Sequence, residues 1–272
     1  SERLMSEPHT FESRWEVPDT WQQGKGAWGG LPIRRMVEAV VEHEQSDREV
    51  RSISAQIPEP VLVGKHHVKT TLVRSGSGMS MWQVEIVRQE GNLIVVRGQV
   101  VTGVDKQLEL DPPAATWGIA CPPTISRHED VPIAPVGPPF GPVFSQHLEY
   151  RPVTPLPTMG DKALVHGWIN IPQRTEAGSH WNAAQLLSIV DAWWPAPFTL
   201  MKAMRMVATV SFSANLLVDP ESIEPVLGER SPLLHEASVS SVHGGFMSEL
   251  RRLWTPDGQL VVENLQSIMV IK

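Results

Sequence analysis

The chain contains two copies of one pattern. Residues 78–99 read GMSMWQVEIVRQEGNLIVVRGQ and residues 245–266 read GFMSELRRLWTPDGQLVVENLQ. Gly78/Gly245, Gly91/Gly258, Leu93/Leu260, Val95/Val262 and Gln99/Gln266 coincide at a constant spacing of 167 residues. Each copy is a β-rich run, a Glu-Gly or Asp-Gly turn and a second β-rich run, the signature of a tight hairpin. Upstream, residues 29–42 and 183–194 each read as an amphipathic helix opened by small residues and followed by strands. Such a chain is expected to fold as two helix-plus-sheet units packed as an internal pseudo-dimer, with a concave site at their seam.

The pattern of the first unit predicts a helix from Leu31 to Glu44, with Pro32 in its first turn. Ile33, Met36, Val37, Val40 and Val41 form its apolar stripe. Strand-like runs follow at Val50–Ile57, His66–Arg74, Ser80–Arg88 and Asn92–Thr102, an antiparallel meander able to wrap the helix. Asp111 to Pro142 then holds nine prolines and reads as an extended linker. The division is 1–110 for the N-terminal unit, 111–145 for the linker and 146–272 for the C-terminal unit. In the last, extended runs at His147–Val153 and Ala163–Ile171 precede a helix from Ala183 to Trp194, stopped by Pro195. Strands are expected at Arg205–Ala214, Leu234–Val242, Phe246–Trp254 and Gln259–Ile271. Between 208 and 214, Ala208, Val210, Phe212 and Ala214 share one face, and Thr209, Ser211 and Ser213 the other.

Composition narrows the function. The 272 residues are 41% hydrophobic, ample for a core, without any apolar run of about 18 residues that would span a membrane. The polar start SERLMSEPHTFESRWE has no apolar stretch of the signal-peptide kind, so a cytoplasmic protein is the expectation. Cys121 is the sole cysteine, which excludes an internal disulfide and cysteine-clustered zinc. A net charge of −7 without a dense Lys/Arg run argues against nucleic acid as a partner. The ten histidines show no metal spacing, so neither metal nor cofactor is expected. Residues 24–29, GKGAWG, match G-x-G-x-x-G but follow no buried apolar strand, which removes the dinucleotide reading. Glycines opening a helix still offer backbone N–H groups to an oxyanion, and Gly29 and Gly30 are the candidates.

Asp191 borders the apolar stripe Leu186, Leu187, Val190 and Trp194, where partial desolvation raises a carboxyl toward the range of a general base. Glu38 holds the matching place in the first unit when Trp28 is aligned with Trp181. Gln266 sits in an apolar strand run, with Gln99 as its counterpart. The span from Gly160 to His166 carries an Asp161-x4-His166 pair similar to the dyad of hotdog enoyl-CoA hydratases.

These residues resemble the acyl-CoA thioesterase II (TesB-like) family. The resemblance rests on GAWGG at 26–30, the strand and Pro turn of Arg51–Pro60, V-x-x-x-L-V-R-S-G-x-G at Val68–Gly78, and the matching second half. It implies an α+β double hotdog, two tandem units each with a helix wrapped by an antiparallel sheet. It also implies hydrolysis of acyl-CoA to a fatty acid and CoA. The family's catalytic aspartate, threonine and glutamine fall on Asp191, Thr209 and Gln266. Val210-Ser211-Phe212 departs from the acidic residue and histidine that follow the threonine in better-known members. Trp193, Trp194, Met201, Met204 and Met206 are the candidate walls of an acyl tunnel. A homodimer or larger homo-oligomer is expected from exposed sheet edges. Two other readings stay open: a hotdog hydratase or dehydratase using Asp161 and His166, and a non-catalytic acyl-binding protein.

Overall fold

A computed structural model describes residues 9–45, 47–106, 109, 118–122 and 125–271. The polar start at 1–8 and the Pro112-Pro113 pair lie outside the described residues. The first unit comprises β1 (Thr10–Val17), a short ladder of β2 (Gln22–Gln23) and β3 (Gly26–Ala27), α1 (Gly30–Val41), β4 (Glu49–Gln56), β5 (Gly64–Ser75), β6 (Met79–Arg88) and β7 (Leu93–Gly103). The second comprises β8 (Glu149–Pro152), β9 (Leu164–Asn170), α2 (Ala183–Ile189), β10 (Val207–Leu216), β11 (Leu233–His243), β12 (Phe246–Trp254) and β13 (Leu260–Val270).

Eleven strands form one antiparallel sheet in the order β1-β5-β6-β7-β4-β10-β13-β12-β11-β9-β8. The two units meet where β4 pairs with β10, Gln56 opposite Ser211 and Ser52 opposite Asn215. Helices α1 and α2 pack against each other inside the curved sheet. This is a double hotdog, and its core is continuous across the seam: Ile33, Met36, Val37 and Val40 from α1 join Leu186, Leu187 and Ile189 from α2.

Three expectations need correction. Val41 lies off the apolar stripe and is 56% exposed, because another 100° of helical rotation carries it past the edge that Val40 occupies. Helix α2 ends at Ile189, not Trp194. It starts on a capping box between Asn182 and Gln185. It stops in a tightened turn in which the N–H groups of Asp191 and Ala192 donate to the carbonyls three residues back, Ser188 and Ile189. Pro195 lacks a donor and disfavours helical backbone at Trp194, so the helix does not resume.

The third concerns the repeat. In the first hairpin Val87 pairs with Ile94, and in the second Trp254 pairs with Leu260, a connection one residue shorter. Trp82 pairs with Val100, whereas Glu249 pairs with Gln266. The structural counterpart of Gln266 is therefore Val100. Gln99 points to the exposed face, since one residue of slip reverses the side of a sheet.

The described part of the Pro-rich segment is docked on the outer face of the second unit. Trp168 Nε1 donates to Ser126 O at 2.9 Å, and Arg151 Nη1 to His128 O and Val131 O at 3.1 and 2.8 Å. Val131, Trp168, Leu234 and Trp254 make a small apolar cluster beneath it.

Candidate active site

The turn after α2 exposes four consecutive carbonyls that a longer helix would have used, and each has a partner. Val190 O accepts from His235 Nε2 at 3.1 Å and Arg251 Nη1 at 3.5 Å. Asp191 O accepts from Trp28 Nε1 at 3.1 Å, and Ala192 O from Tyr150 Oη at 3.0 Å. Trp193 O accepts from Arg251 Nη1 at 3.3 Å. Trp28 is itself stacked on Phe144, with ring centroids 5.1 Å apart. The short segment carrying Asp191 is thus gripped from both units.

The Asp191 side chain is 8% exposed. Its Oδ1 accepts from Gln266 Nε2 at 2.7 Å and from Arg251 Nη1 at 3.2 Å. The Gly30 N–H at the start of α1 faces the carboxylate and favours its charged form, as the positive end of a helix does. Oδ2 faces Gly29 so closely that a Cβ there would lie 2.7 Å away. Only glycine leaves that oxygen open.

Gln266 is buried, and both N–H groups of its amide are committed. Besides Asp191, its Nε2 donates to Asn264 Oδ1 at 2.9 Å, and its Oε1 accepts from Thr209 Oγ1 at 3.2 Å. Asn264 Nδ2 donates to Ser213 O at 2.9 Å, so its oxygen is the atom turned toward Gln266. That polarity fixes the Gln266 amide with its oxygen toward Thr209. The three sequence candidates Asp191, Thr209 and Gln266 therefore form one hydrogen-bonded chain.

Thr209 reaches this chain because β10 does not alternate as expected. Pairing with β13 jumps from Thr209–Ile268 to Ser211–Ser267, leaving Val210 as a bulge. The extra residue shifts the phase, so Thr209 lies on the inner face with Phe212 and Ala214, while Ser211 and Ser213 stay on the outer one. The expected face of three hydroxyls is thereby divided.

Burial raises the Asp191 pKa above the usual carboxylate value; Arg251 and the Gln266 hydrogen bond pull it down, and Glu249 adds to the rise. Burial likewise pushes the Tyr150 hydroxyl up and holds His235 well below the ordinary histidine value, so both are neutral around Asp191.

Trp193 is buried between Tyr150, Trp194 and His235, with centroids at 5.2, 4.7 and 5.7 Å. It lies over Gly167, where a Cβ would meet the indole at 2.3 Å. Trp194 is half-buried against the same core, and Met204 and Met206 are exposed on the segment leading into β10. Asp161 is exposed, and no hydrogen bond joins it to His166, whose Nε2 is buried without a partner. Among the described residues no group of His, Cys, Asp and Glu is arranged to hold a metal ion.

The residues that sequence reasoning missed are Trp28, Tyr150, His235, Glu249, Arg251 and Asn264. A signal existed for three of them: Glu249 and Arg251 are spaced two apart, as are Asn264 and the candidate Gln266, in otherwise apolar strands, so each pair shares the face of Leu253 or Val262.

A cleft of about 710 Å³ lies at the pseudo-symmetry-related position, by the start of α2 and the last turn of α1. Its walls include Trp181, Asn182, Glu38 and Val50. Val50 opposes Thr102 across a bulge in β4 as Thr209 opposes Ile268 in β10, so valine replaces the threonine. With Val100 in place of Gln266, and Glu38 paired with Arg34 at 2.7 Å, the cleft keeps the space without an Asp–Gln–Thr chain; Glu44 Oε2 on its wall accepts instead from Thr102 Oγ1 at 2.6 Å and Trp82 Nε1 at 3.2 Å.

Comparison with known proteins agrees with this architecture. The family model of the acyl-CoA thioesterase C-terminal domain matches residues 123–270, and that of the N-terminal domain residues 17–103. The chain belongs to the acyl-CoA thioesterase family and is a thioester hydrolase. A hot dog fold protein of unknown function from Alicyclobacillus acidocaldarius superposes with a TM-score of 0.83 at 18% identity, over 96% of this chain and 93% of that one. An acyl-CoA thioesterase II from Mycobacterium marinum gives 0.69 at 14% identity, over 95% and 92%. A tesB protein from Mycobacterium avium subs paratuberculosis gives 0.72 at 14% identity, over 98% and 96%. No curated protein sequence matched the chain. The solved structures carry the fold and the family models the activity.

Proposed function

We propose that this thioesterase hydrolyses acyl-CoA to a free carboxylic acid and CoA through a water molecule held by Asp191, Thr209 and Gln266. The observation that carries the reading is the Gln266 amide joined to Asp191 at 2.7 Å and to Thr209 at 3.2 Å. The water oxygen attacks the thioester carbonyl carbon while Asp191 takes its proton. The tetrahedral intermediate then expels the CoA thiolate, which is protonated from Asp191. No covalent acyl-enzyme forms. Gln266 and Thr209 orient the carboxylate and the water, converting a diffusing nucleophile into a placed one. The Gly30 N–H supports the carboxylate in this scheme, and Gly29 is the candidate donor to the carbonyl oxygen. Trp194 and the methionines at 201, 204 and 206 are the candidate acyl contacts, while Trp193 braces the turn behind Asp191.

The same reading divides the chain at 1–110, 111–145 and 146–272. It places the enzyme in the cytoplasm, acting in fatty acid metabolism as a homodimer or larger assembly, with β1 and β8 as the sheet edges through which copies could join.

The deciding experiment follows free-thiol release from acyl-CoAs of C2 to C18 by wild type and Asp191→Asn. Release that falls roughly 100-fold in the variant, the scale of a lost general base, supports the reading. Release that survives the substitution removes Asp191 as the base. No release by the folded wild-type protein favours an acyl-binding role.

A further inference from the structure

We infer that Arg251, held in place by Glu249, is a positioning residue that fixes the Asp191 turn and its carboxylate. The inference rests on Asp191 being the base.

The two units provide the control. On β12, Glu249 and Arg251 pair with Gln266 and Asn264; at the same places on β6, Trp82 and Val84 pair with Val100 and Gly98. Trp82 and Val84 are buried, as are Glu249 and Arg251. The first unit therefore closes its sheet over its helix without a buried ion pair on these two strand positions, Trp82 Nε1 donating instead to Glu44 Oε2 at 3.2 Å. The second unit instead buries two full charges, an arrangement that apolar residues of similar volume commonly replace without loss of stability. Fold stability does not account for the pair. In the second unit the pair faces the Asp191 turn, whereas in the first Trp82 faces the Glu44 carboxylate and bonds it through its indole N–H.

The contacts describe a brace. Arg251 Nε donates to Glu249 Oε1 at 2.6 Å, and Glu249 Oε2 accepts from Ala196 N at 2.8 Å. Arg251 Nη1 then reaches Val190 O, Trp193 O and Asp191 Oδ1 at 3.5, 3.3 and 3.2 Å. One guanidinium thus touches the backbone on both sides of Asp191 and the carboxylate itself. A lysine ammonium, a single point of charge, cannot hold Glu249 and span that turn together.

The surroundings leave the charge balance to this residue. The Gly30 N–H faces the carboxylate from α1 and Gln266 from β13, while the neutral Tyr150 of β8 and the neutral His235 of β11 bond the turn's carbonyls at Ala192 and Val190. From β12 come the negative Glu249 and the positive Arg251. Among these groups Arg251 alone carries positive charge.

The test is the pH profile of kcat/KM for acyl-CoA hydrolysis, followed by thiol release, in wild type, Arg251→Met, Arg251→Lys and Glu249→Gln. Asp191→Asn is run beside them. Arg251→Met is expected to lose at least tenfold in kcat at neutral pH with KM little changed. Its acidic limb should move up by about one pH unit or more, with part of the rate recovered at high pH. Arg251→Lys should fall between Met and wild type. Glu249→Gln removes a negative neighbour, so its limb should move down. Shifts of opposite sign cannot arise from a loss of packing. If Arg251→Met does not fold, Arg251→Lys and Glu249→Gln decide the matter. Folded variants with the wild-type limb overturn the inference. Wild-type activity in Asp191→Asn would instead overturn the reading on which it rests.

Discussion

At the residue scale, the site depends on atoms that are absent as much as on those present. Gly29 has ordinary helical backbone angles, so alanine is tolerated by the chain. Its Cβ, however, would sit 2.7 Å from Asp191 Oδ2. Gly29→Ala is therefore expected to lower kcat at least tenfold while shifting Tm only slightly, checked by thiol release and thermal melting. Thr209→Val should keep the fold, because valine already fills the matching place at Val50. It removes a hydrogen bond worth about 1 kcal/mol and with it one anchor of the water, so kcat should fall about tenfold. The pH dependence has a definite sign. A base must be deprotonated, and burial raises the Asp191 pKa. Wild-type kcat/KM should rise with pH through an ionisation above the usual aspartate range; an acidic limb at or below that range would contradict the buried carboxylate described.

At the element scale, the end of α2 matters more than its body. The helix stops early, and four carbonyls freed by its ending become the handles by which both units hold Asp191. Trp28→Phe keeps an aromatic ring for the stack on Phe144 but removes the donor to Asp191 O. A loss of about 1–2 kcal/mol in urea unfolding is expected, the usual cost of a buried acceptor left unpaired, together with reduced kcat. The Val210 bulge does the corresponding work on β10. The pattern at 208–214 is legible as a strand, but a bulge is set by pairing with β13 and β4. Alternation alone places Thr209 on the wrong face. The hairpin comparison fails for the same reason: identities at a spacing of 167 residues mark the repeat correctly, yet one fewer residue in the second connection puts Gln99 outside and Val100 inside.

At the scale of the whole molecule, the two units share one sheet and one core. A single sheet crosses the seam at β4 and β10, the helices share a core, and Trp28 of the first unit donates to the backbone carbonyl of Asp191 in the second. Urea unfolding followed by tryptophan fluorescence and by far-UV circular dichroism should give coincident transitions. Separate transitions would show that the units fold independently. Expressed alone, residues 146–272 should lack thioesterase activity, because Gly29, Gly30 and Trp28 come from the other half. The cleft beside Glu38 makes the converse point: Glu38→Gln should leave thiol release unchanged.

The sequence alone determined the repeat, the two helices, the hairpins, and the presence of an aspartate, a threonine and a glutamine on successive elements. These are local properties, carried by periodicity, turn residues and recognisable motifs. Tertiary structure decided which of these side chains meet. Where α2 stops, which face Thr209 occupies and which residue opposes Trp82 depend on hydrogen bonds between strands far apart in the chain. The buried Glu249–Arg251 pair behind Asp191 belongs to that second class. Its spacing was readable, but the carboxylate it braces lies on another element, brought within reach only when the sheet closes over the helices.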